Sequence, residues 1–228
     1  MSNIFFCGDP HGNFESVVEA VKQHRPDAIV LLGDMTPEQP LHVELAEIIG
    51  LTEIHWIHGN HDCDEEHFYD NLFGSKLAGG NLHGRLITIG GIRIAGMGGV
   101  FREKIWSDKG ALYDSPQAYL KSCGKGNRWR GGLPLRQQAS IFPSEVLTLS
   151  KCRADVLVTH EAPAMHQHGS RALTQLAKRL GVKAAFHGHH HEDIVYPDGV
   201  WRGVGLQGVT NLDGTVIVPG GFQRVTGN

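Results

Sequence analysis

An α/β fold built on a parallel sheet is what this sequence predicts, and three features predict it. Short apolar runs alternate with helical periodicities between residues 4 and 57, the pattern of strand–helix–strand crossovers. Each of those runs stops at a polar motif: Gly8-Asp9-Pro10-His11-Gly12, then Gly33-Asp34, then Gly59-Asn60-His61-Asp62. The same texture returns after residue 156, where Val156-Leu157-Val158 ends at Thr159-His160 and Ala184 to Phe186 runs into His187-Gly188-His189-His190-His191. In open α/β sheets the carboxyl ends of the strands are where ligands bind.

Taken in order, Ile4 to Cys7 forms a buried first strand. A helix follows that Asn13 caps, with Phe14, Val17, Val18 and Val21 on one face and Lys22, His24 and Arg25 crowding its end before Pro26. Ala28 to Leu32 is the second strand. Thr36 and Gln39 then suit a capping box, with Pro37 at the first helical position and Leu41, Leu45, Ile48 and Ile49 facing inward up to Gly50. Ile54 to Ile57 is the third strand. Leu86 to Ile89 and Ile92 to Ala95 form a hairpin through Gly90-Gly91. Phe101 to Ser140 has no clear period and has the character of a long insertion, which in a compact domain is usually functional or mobile. Ser170 caps a helix with Leu173, Leu176, Ala177 and Leu180 inward and Gly181 beyond. The tail, with Val200 to Val204 and Val216 to Val218 between glycine-rich turns, suits antiparallel strands.

Length and composition set bounds. A chain of 228 residues supports one large domain, taken here as 1–228 with an insertion at about 101–140, and is short for two. Hydrophobic content of 40% with 20% charged residues is that of a soluble globular protein, and a formal charge of −3 supplies neither a nucleic-acid coat nor a membrane surface. Cys7, Cys63, Cys123 and Cys152 form no Cys-x-x-Cys pair, which argues against a thiolate zinc site or a disulfide framework and for the cytoplasm. No apolar run approaches membrane-spanning length, and Ile4 to Cys7 is too short for the core of a signal peptide. The unusual count is 15 histidines, not gathered in a tag.

Five strand ends thus carry Asp9 and His11, Asp34, Asn60 and His61, His160, and His189 and His191. Carboxylates, imidazoles and one amide, with no thiolate, suit divalent ions of the manganese, iron or zinc type. A lone histidine in a polar loop is ordinarily solvated or hydrogen-bonded, and that reading applies to His24, His42, His55, His58, His67, His83, His166, His168 and His190, with His166 and His168 near the mouth of the site. Gly8, Gly12 and Gly33 read equally well as turn residues. The bland reading fails for the set, because chance rarely puts ligand chemistry at every parallel strand end in turn.

Asp9-Pro10-His11, Gly33-Asp34, Gly59-Asn60-His61-Asp62, Thr159-His160-Glu161-Ala162-Pro163 and Gly188-His189-His190-His191, in that order, resemble the motifs of the calcineurin-like metallophosphoesterases. The Gly-His-x-His ending is more similar to the small prokaryotic-type branch. The resemblance implies a four-layer αββα sandwich of two mixed sheets flanked by helices. It also implies that Asp9, His11, Asp34 and His191 hold one metal, that Asp34 bridges to a second held by Asn60, His160 and His189, and that His61 is the acid near the leaving group. The protein Ser/Thr phosphatase branch carries an Asp and an Arg three and four residues beyond the bridging Asp. Pro37 and Glu38 stand there in this chain, so the partner that orients the histidine in that branch, and an arginine on phosphate, are missing. A dedicated phosphoprotein phosphatase is disfavoured.

The chemistry follows from the donor set. Two divalent metals, with Mn2+ preferred over Fe or Zn, can bring bound water to a pKa near 7 and clamp both oxygens of a phosphoryl displacement, so that a hydroxide held between them attacks phosphorus. A protonated His61 supplies what an alkoxide leaving group needs. The expected activity is phosphoester hydrolysis, as phosphatase or phosphodiesterase, on a phosphorylated small molecule or nucleotide-like substrate. Rival readings are a nuclease, a dinucleoside-polyphosphate hydrolase, and a scaffold without activity, since a retromer subunit similar to this family serves mainly as a binding platform. The filled ligand positions and His61 count against the scaffold. The insertion holds eight basic and three acidic residues, a net +5 against −8 for the remainder. With Phe101, Trp106, Tyr113, Tyr119 and Trp129 it suggests a cover whose arginines, Arg102, Arg128 and Arg130, grip an anionic substrate.

Overall fold

Alternate residues of the apolar runs pack to opposite sides, as a strand requires, and this alternation makes the layers. The computed structural model describes residues 2–107 and 109–221. In chain order the elements are β1 (Ile4–Cys7), α1 (Glu15–His24), β2 (Ala28–Leu31), α2 (Leu41–Glu44), β3 (Glu53–Trp56), α3 (Glu66–Phe73), β4 (Leu86–Ile89), β5 (Ile92–Met97), β6 (Trp106–Ser107), β7 (Gly110–Ala111), α4 (Pro116–Ser122) and α5 (Pro143–Leu149). They continue with β8 (Val156–Thr159), α6 (Arg171–Leu180), β9 (Ala184–His187), β10 (Ile194–Val195), β11 (Trp201–Gly203), β12 (Val209–Asn211) and β13 (Val216–Val218).

Two mixed sheets result, one in the order β13-β12-β1-β2-β3 and the other β10-β11-β9-β8-β5-β4. Phe5, Ile29, Leu31 and Trp56 pack outward against Val17 and Val21 of α1 and Leu41 of α2. Ile4, Phe6, Ala28 and Val30 face the second sheet, meeting Ile94, Val158 and Phe186. Phe6 stacks on Phe186 with ring centroids 3.9 Å apart. The far side of the second sheet, Ala95, Leu157 and Ala185, is covered by Val146 and Leu149 of α5 and Leu173, Leu176 and Leu180 of α6. Helices, sheet, sheet and helices form the expected four layers. Each fully buried large apolar side chain contributes roughly 1.5–3 kcal/mol, and this inter-sheet contact brings the two halves of the site together.

Strand pairing aligns the functional loops. Cys7 pairs with Leu31 and Leu31 with Trp56, all parallel, so Asp9, Asp34 and Asn60 follow at the same end of the first sheet. In the second sheet Met97 pairs with Thr159 and Thr159 with His187, which brings His160, His189 and the loop after Met97 to the corresponding end.

Several local expectations need correction. The second helix is only the single turn of α2, with Pro40 before it. No capping box forms at Thr36, because Asp62 Oδ1 accepts the Thr36 N–H at 2.8 Å and draws the segment toward the loop after β3. Ile49, expected inside, is exposed. In the tail β13 is antiparallel to β12 and β11 to β10, as expected, but β11 also runs parallel to β9, since the two-residue β10 reverses the chain between them. Within residues 101–140 the structure has β6, β7 and α4, whose Ser115 cap accepts the Ala118 N–H, and a five-residue 3₁₀ turn, Leu135–Ala139. Among the described residues no helix is long and apolar enough to cross a membrane.

Candidate active site

Seven side chains converge where the two sheets end. Asp9, His11 and His191 form one group with ligand atoms close enough to share a cation, and Asp34, His160 and His189 form another. Asn60, the amide of the set, has its Oδ1 3.3 Å from His160 Nε2. The groups meet at Asp34, whose Oδ2 lies 3.9 Å from His11 Nε2 and 3.3 Å from His160 Nε2. Its other oxygen, Oδ1, accepts the His61 N–H at 2.8 Å. One carboxylate oxygen is thereby tied down and the other is left facing both groups.

The backbone is bent to achieve this. Asp9, His11, Asp34, His189 and His191 all adopt positive φ, between 30° and 70°. Such conformations cost non-glycine residues on the order of 1–3 kcal/mol each and cluster at functional sites. Crowding explains two glycines. A Cβ at Gly33 would collide with the His160 ring, and one at Gly59 with Asp34 Oδ1 and the same ring. Gly33 is therefore more than a turn residue. Asp62, which could serve at the surface or as a loop tie, is wholly buried and ties the loop through the Thr36 and Gly59 N–H groups, each at 2.8 Å.

The donor chemistry fits divalent cations. His160 Nδ1 donates to the Leu32 carbonyl at 2.8 Å, which leaves the Nε2 lone pair aimed at Asp34 and Asn60. His11 Nε2 and His191 Nε2 stand 3.1 Å apart, two imidazole nitrogens on one point. Both Asp9 oxygens accept the His189 N–H at 3.0 Å, which orients that carboxylate. Acceptors converging in a buried place need a positive charge between them. Protons supply it when no metal does. Burial disfavours a charged His160, but the Asp34 carboxylate beside it overcomes this and raises its pKa to about 10. Burial also pushes Asp9 up to about 8. Asp34, buried as well, is held below the ordinary carboxylate range by His160 and the His61 N–H. Metal uptake there must release protons.

His61 sits on a 3₁₀ turn, His61–Cys63, with its ring centroid 5.6 Å from that of His11. Its Nδ1 donates to Asp64 Oδ2 at 2.7 Å, leaving Nε2 free. Position 37 offers this ring no carboxylate, but Asp64, three residues after His61, does, and a carboxylate at that spacing was the signal available in the sequence.

The remaining candidates fall into place individually. Arg128 donates to the Cys123 and Leu120 carbonyls, closing the end of α4. Arg130 is paired with Asp70 and Glu66 of α3 and stacked on Trp129. Both guanidinium groups are committed within the protein, so neither is set as a free anion grip. Arg102, in the loop after β5, keeps a buried Nε without a partner, and its charge is felt by Glu161 and Cys63 beside the site. Of the other histidines, His187 bonds Tyr196 Oη at 2.9 Å, and His166 stacks on His190 with centroids 3.8 Å apart. His58 is buried without partners for either ring nitrogen and is held well below the ordinary imidazole pKa by that burial. It adjoins a cavity of about 340 Å³, lined also by Tyr69, His83 and Glu145, that shares no residue with the two ligand groups or His61.

A sequence model described as calcineurin-like phosphoesterase matches residues 2–193. An uncharacterized protein of Haemophilus influenzae is 41% identical over 194 residues, 85% of each chain. Among solved structures, TT1561 of Thermus thermophilus aligns with a TM-score of 0.55 at 16% identity, over 92% of this chain and 93% of that one. A dimetal phosphatase from Danio rerio aligns at 0.51 and 12% identity, over 90% and 87%. At such identities the two structures speak for the fold alone.

Proposed function

Because the chain belongs to the calcineurin-like phosphoesterase family, and is thereby a metal-dependent phosphoesterase, we propose that it hydrolyses a phosphorylated small molecule or nucleotide-like substrate with two divalent ions. Asp9, His11, Asp34 and His191 would hold one ion, and Asp34, Asn60, His160 and His189 the other. The observation that carries this is the single Asp34 oxygen facing both His11 at 3.9 Å and His160 at 3.3 Å. A whole domain over 1–228, with residues 101–140 inserted between β5 and α5, is the organisation this reading takes.

When bound, the ions, Mn2+ in preference with Fe or Zn on the same donors, supply a water of lowered pKa and neutralise the phosphoryl oxygens. The chain's own residues do the rest. His61 holds its proton toward the leaving oxygen on Nε2, with Nδ1 secured by Asp64, and donates it as the ester bond breaks. Of Arg102, Arg128 and Arg130, only Arg102 keeps a buried guanidinium nitrogen without a partner, which supports a phosphate contact. Completeness of the ligand set supports an enzyme over a scaffold.

The test is metal-stripped protein restored with one metal at a time and offered phosphomonoesters, phosphodiesters and dinucleoside polyphosphates. Hydrolysis that appears only with added metal, saturating at two ions per chain, is the expected result. No turnover of any class with any metal would overturn the reading in favour of a scaffold. A preference for diesters or polyphosphates over monoesters would assign the substrate class.

A further inference from the structure

We propose that the insertion acts on catalysis through Arg136, which braces Asp64 and thereby positions His61. This rests on the reading of His61 as the proton donor. Asp64 uses its two oxygens differently. Oδ2 accepts the His61 Nδ1–H at 2.7 Å, and Oδ1 lies 3.2 Å from Arg136 Nε. Imidazole, carboxylate and guanidinium form one chain from the mouth of the metal site into the inserted segment.

The need for a brace is physical. The His61 side chain is half exposed, at 50%, on a three-residue turn, so packing covers only one side of the ring and leaves its rotation to be fixed by a partner. A carboxylate on Nδ1 fixes both the ring plane and the tautomer, and so fixes which nitrogen faces substrate. A carboxylate held at one oxygen still swings about its own axis, and a second contact on the other oxygen stops it. Arg136 is well placed to give that contact. It belongs to the Leu135–Ala139 turn, whose end is stitched to the strand side of the site by Val100 N–H to the Ala139 carbonyl at 2.8 Å and Ile141 N–H to the Val100 carbonyl at 3.0 Å. The insertion's neck is therefore fixed to the loop after β5 even though its tip lies far along the chain.

The Arg136 side chain is 69% exposed. An ion pair that open to water contributes little to folding, which separates a positioning role from a structural one. Replacing Arg136 should shift Tm by no more than about 2–4 °C while changing the rate on substrates that need the proton.

The test compares Asp64→Asn, Arg136→Ala and Arg136→Lys in fully metal-loaded enzyme on an alkyl phosphate and a nitrophenyl phosphate. Asp64→Asn should lower kcat on the alkyl ester roughly 10- to 100-fold and Arg136→Ala about 3- to 10-fold, as fractions of what a general acid supplies. Losses on the nitrophenyl ester should be much smaller, and Arg136→Lys should recover part of the alkyl-ester rate. Added to His61→Ala, neither substitution should lower the rate further. Equal losses on both esters, loss of metal, or full additivity with His61→Ala would overturn the proposal. If His61→Ala itself shows no contrast between the esters, the acid assignment fails. If it does while Arg136→Ala changes nothing, the brace alone fails.

Discussion

Asp34→Asn is expected to abolish hydrolysis and to lower metal content at both sites together. The amide keeps the shape and can still accept the His61 N–H that Oδ1 accepts at 2.8 Å. What it loses is the charge on the atom that faces His11 and His160. An amide nitrogen there has no lone pair to offer a cation, so both groups drop to incomplete sets at once. Metal assistance is worth several kcal/mol of charge stabilisation, and at tenfold per about 1.4 kcal/mol the rate should fall on the order of 10³-fold or more. Elemental analysis and turnover are read on the same sample. Two ions per chain with full activity would remove Asp34 from its shared position. Loss of one ion only would make it a ligand of a single site.

His61→Ala should keep both ions and lose rate unequally. Its side chain belongs to neither ligand group, and the His61 N–H that serves Asp34 comes from the backbone, which alanine retains. A positioned general acid contributes roughly 10²–10⁴-fold where the leaving group is a poor anion. An alkyl ester should show that full loss, whereas a nitrophenyl ester, whose leaving group is stable unprotonated, should lose about tenfold or less. Equal losses with metal retained would turn His61 into a phosphate-binding residue.

That the candidate ligands gather in one place was legible in the sequence, because their position is set by topology. A parallel strand must deliver its next residues to one end of the sheet, so polar residues after Cys7, Leu32, Ile57, Thr159 and His187 could only gather there. Asp64 was not legible in the same way, since a partner three residues on in a turn depends on which way a half-exposed ring rotates. Charge alone left Asp62 open between a surface and a loop-tying carboxylate, because it says nothing of the two N–H groups that justify burying it. Net charge misled at the insertion: +5 gives an average sign, while Arg128 and Arg130 are directed by local acceptors at Leu120, Cys123 and Asp70. The short α2 departs from its helical pattern because Pro40, which a helix begun at Thr36 would have to carry in its interior, stands directly before Leu41 instead.

The two sheets also impose an order of assembly. Asp9, His11, Asp34 and Asn60 all lie after strands of the first sheet, within the first quarter or so of the chain, while His160, His189 and His191 follow strands of the second. Each ligand group draws on both. His11 meets a partner 180 positions away, and β1 gains β12 as a neighbour only later still. A growing chain therefore carries half of each site through most of its synthesis, and closing loops of that length must precede any reward from coordination. On the two-ion reading, ion capture follows the closing of these loops rather than nucleating it. Chains stalled at increasing lengths should take up stoichiometric metal only once residue 191 has joined the fold.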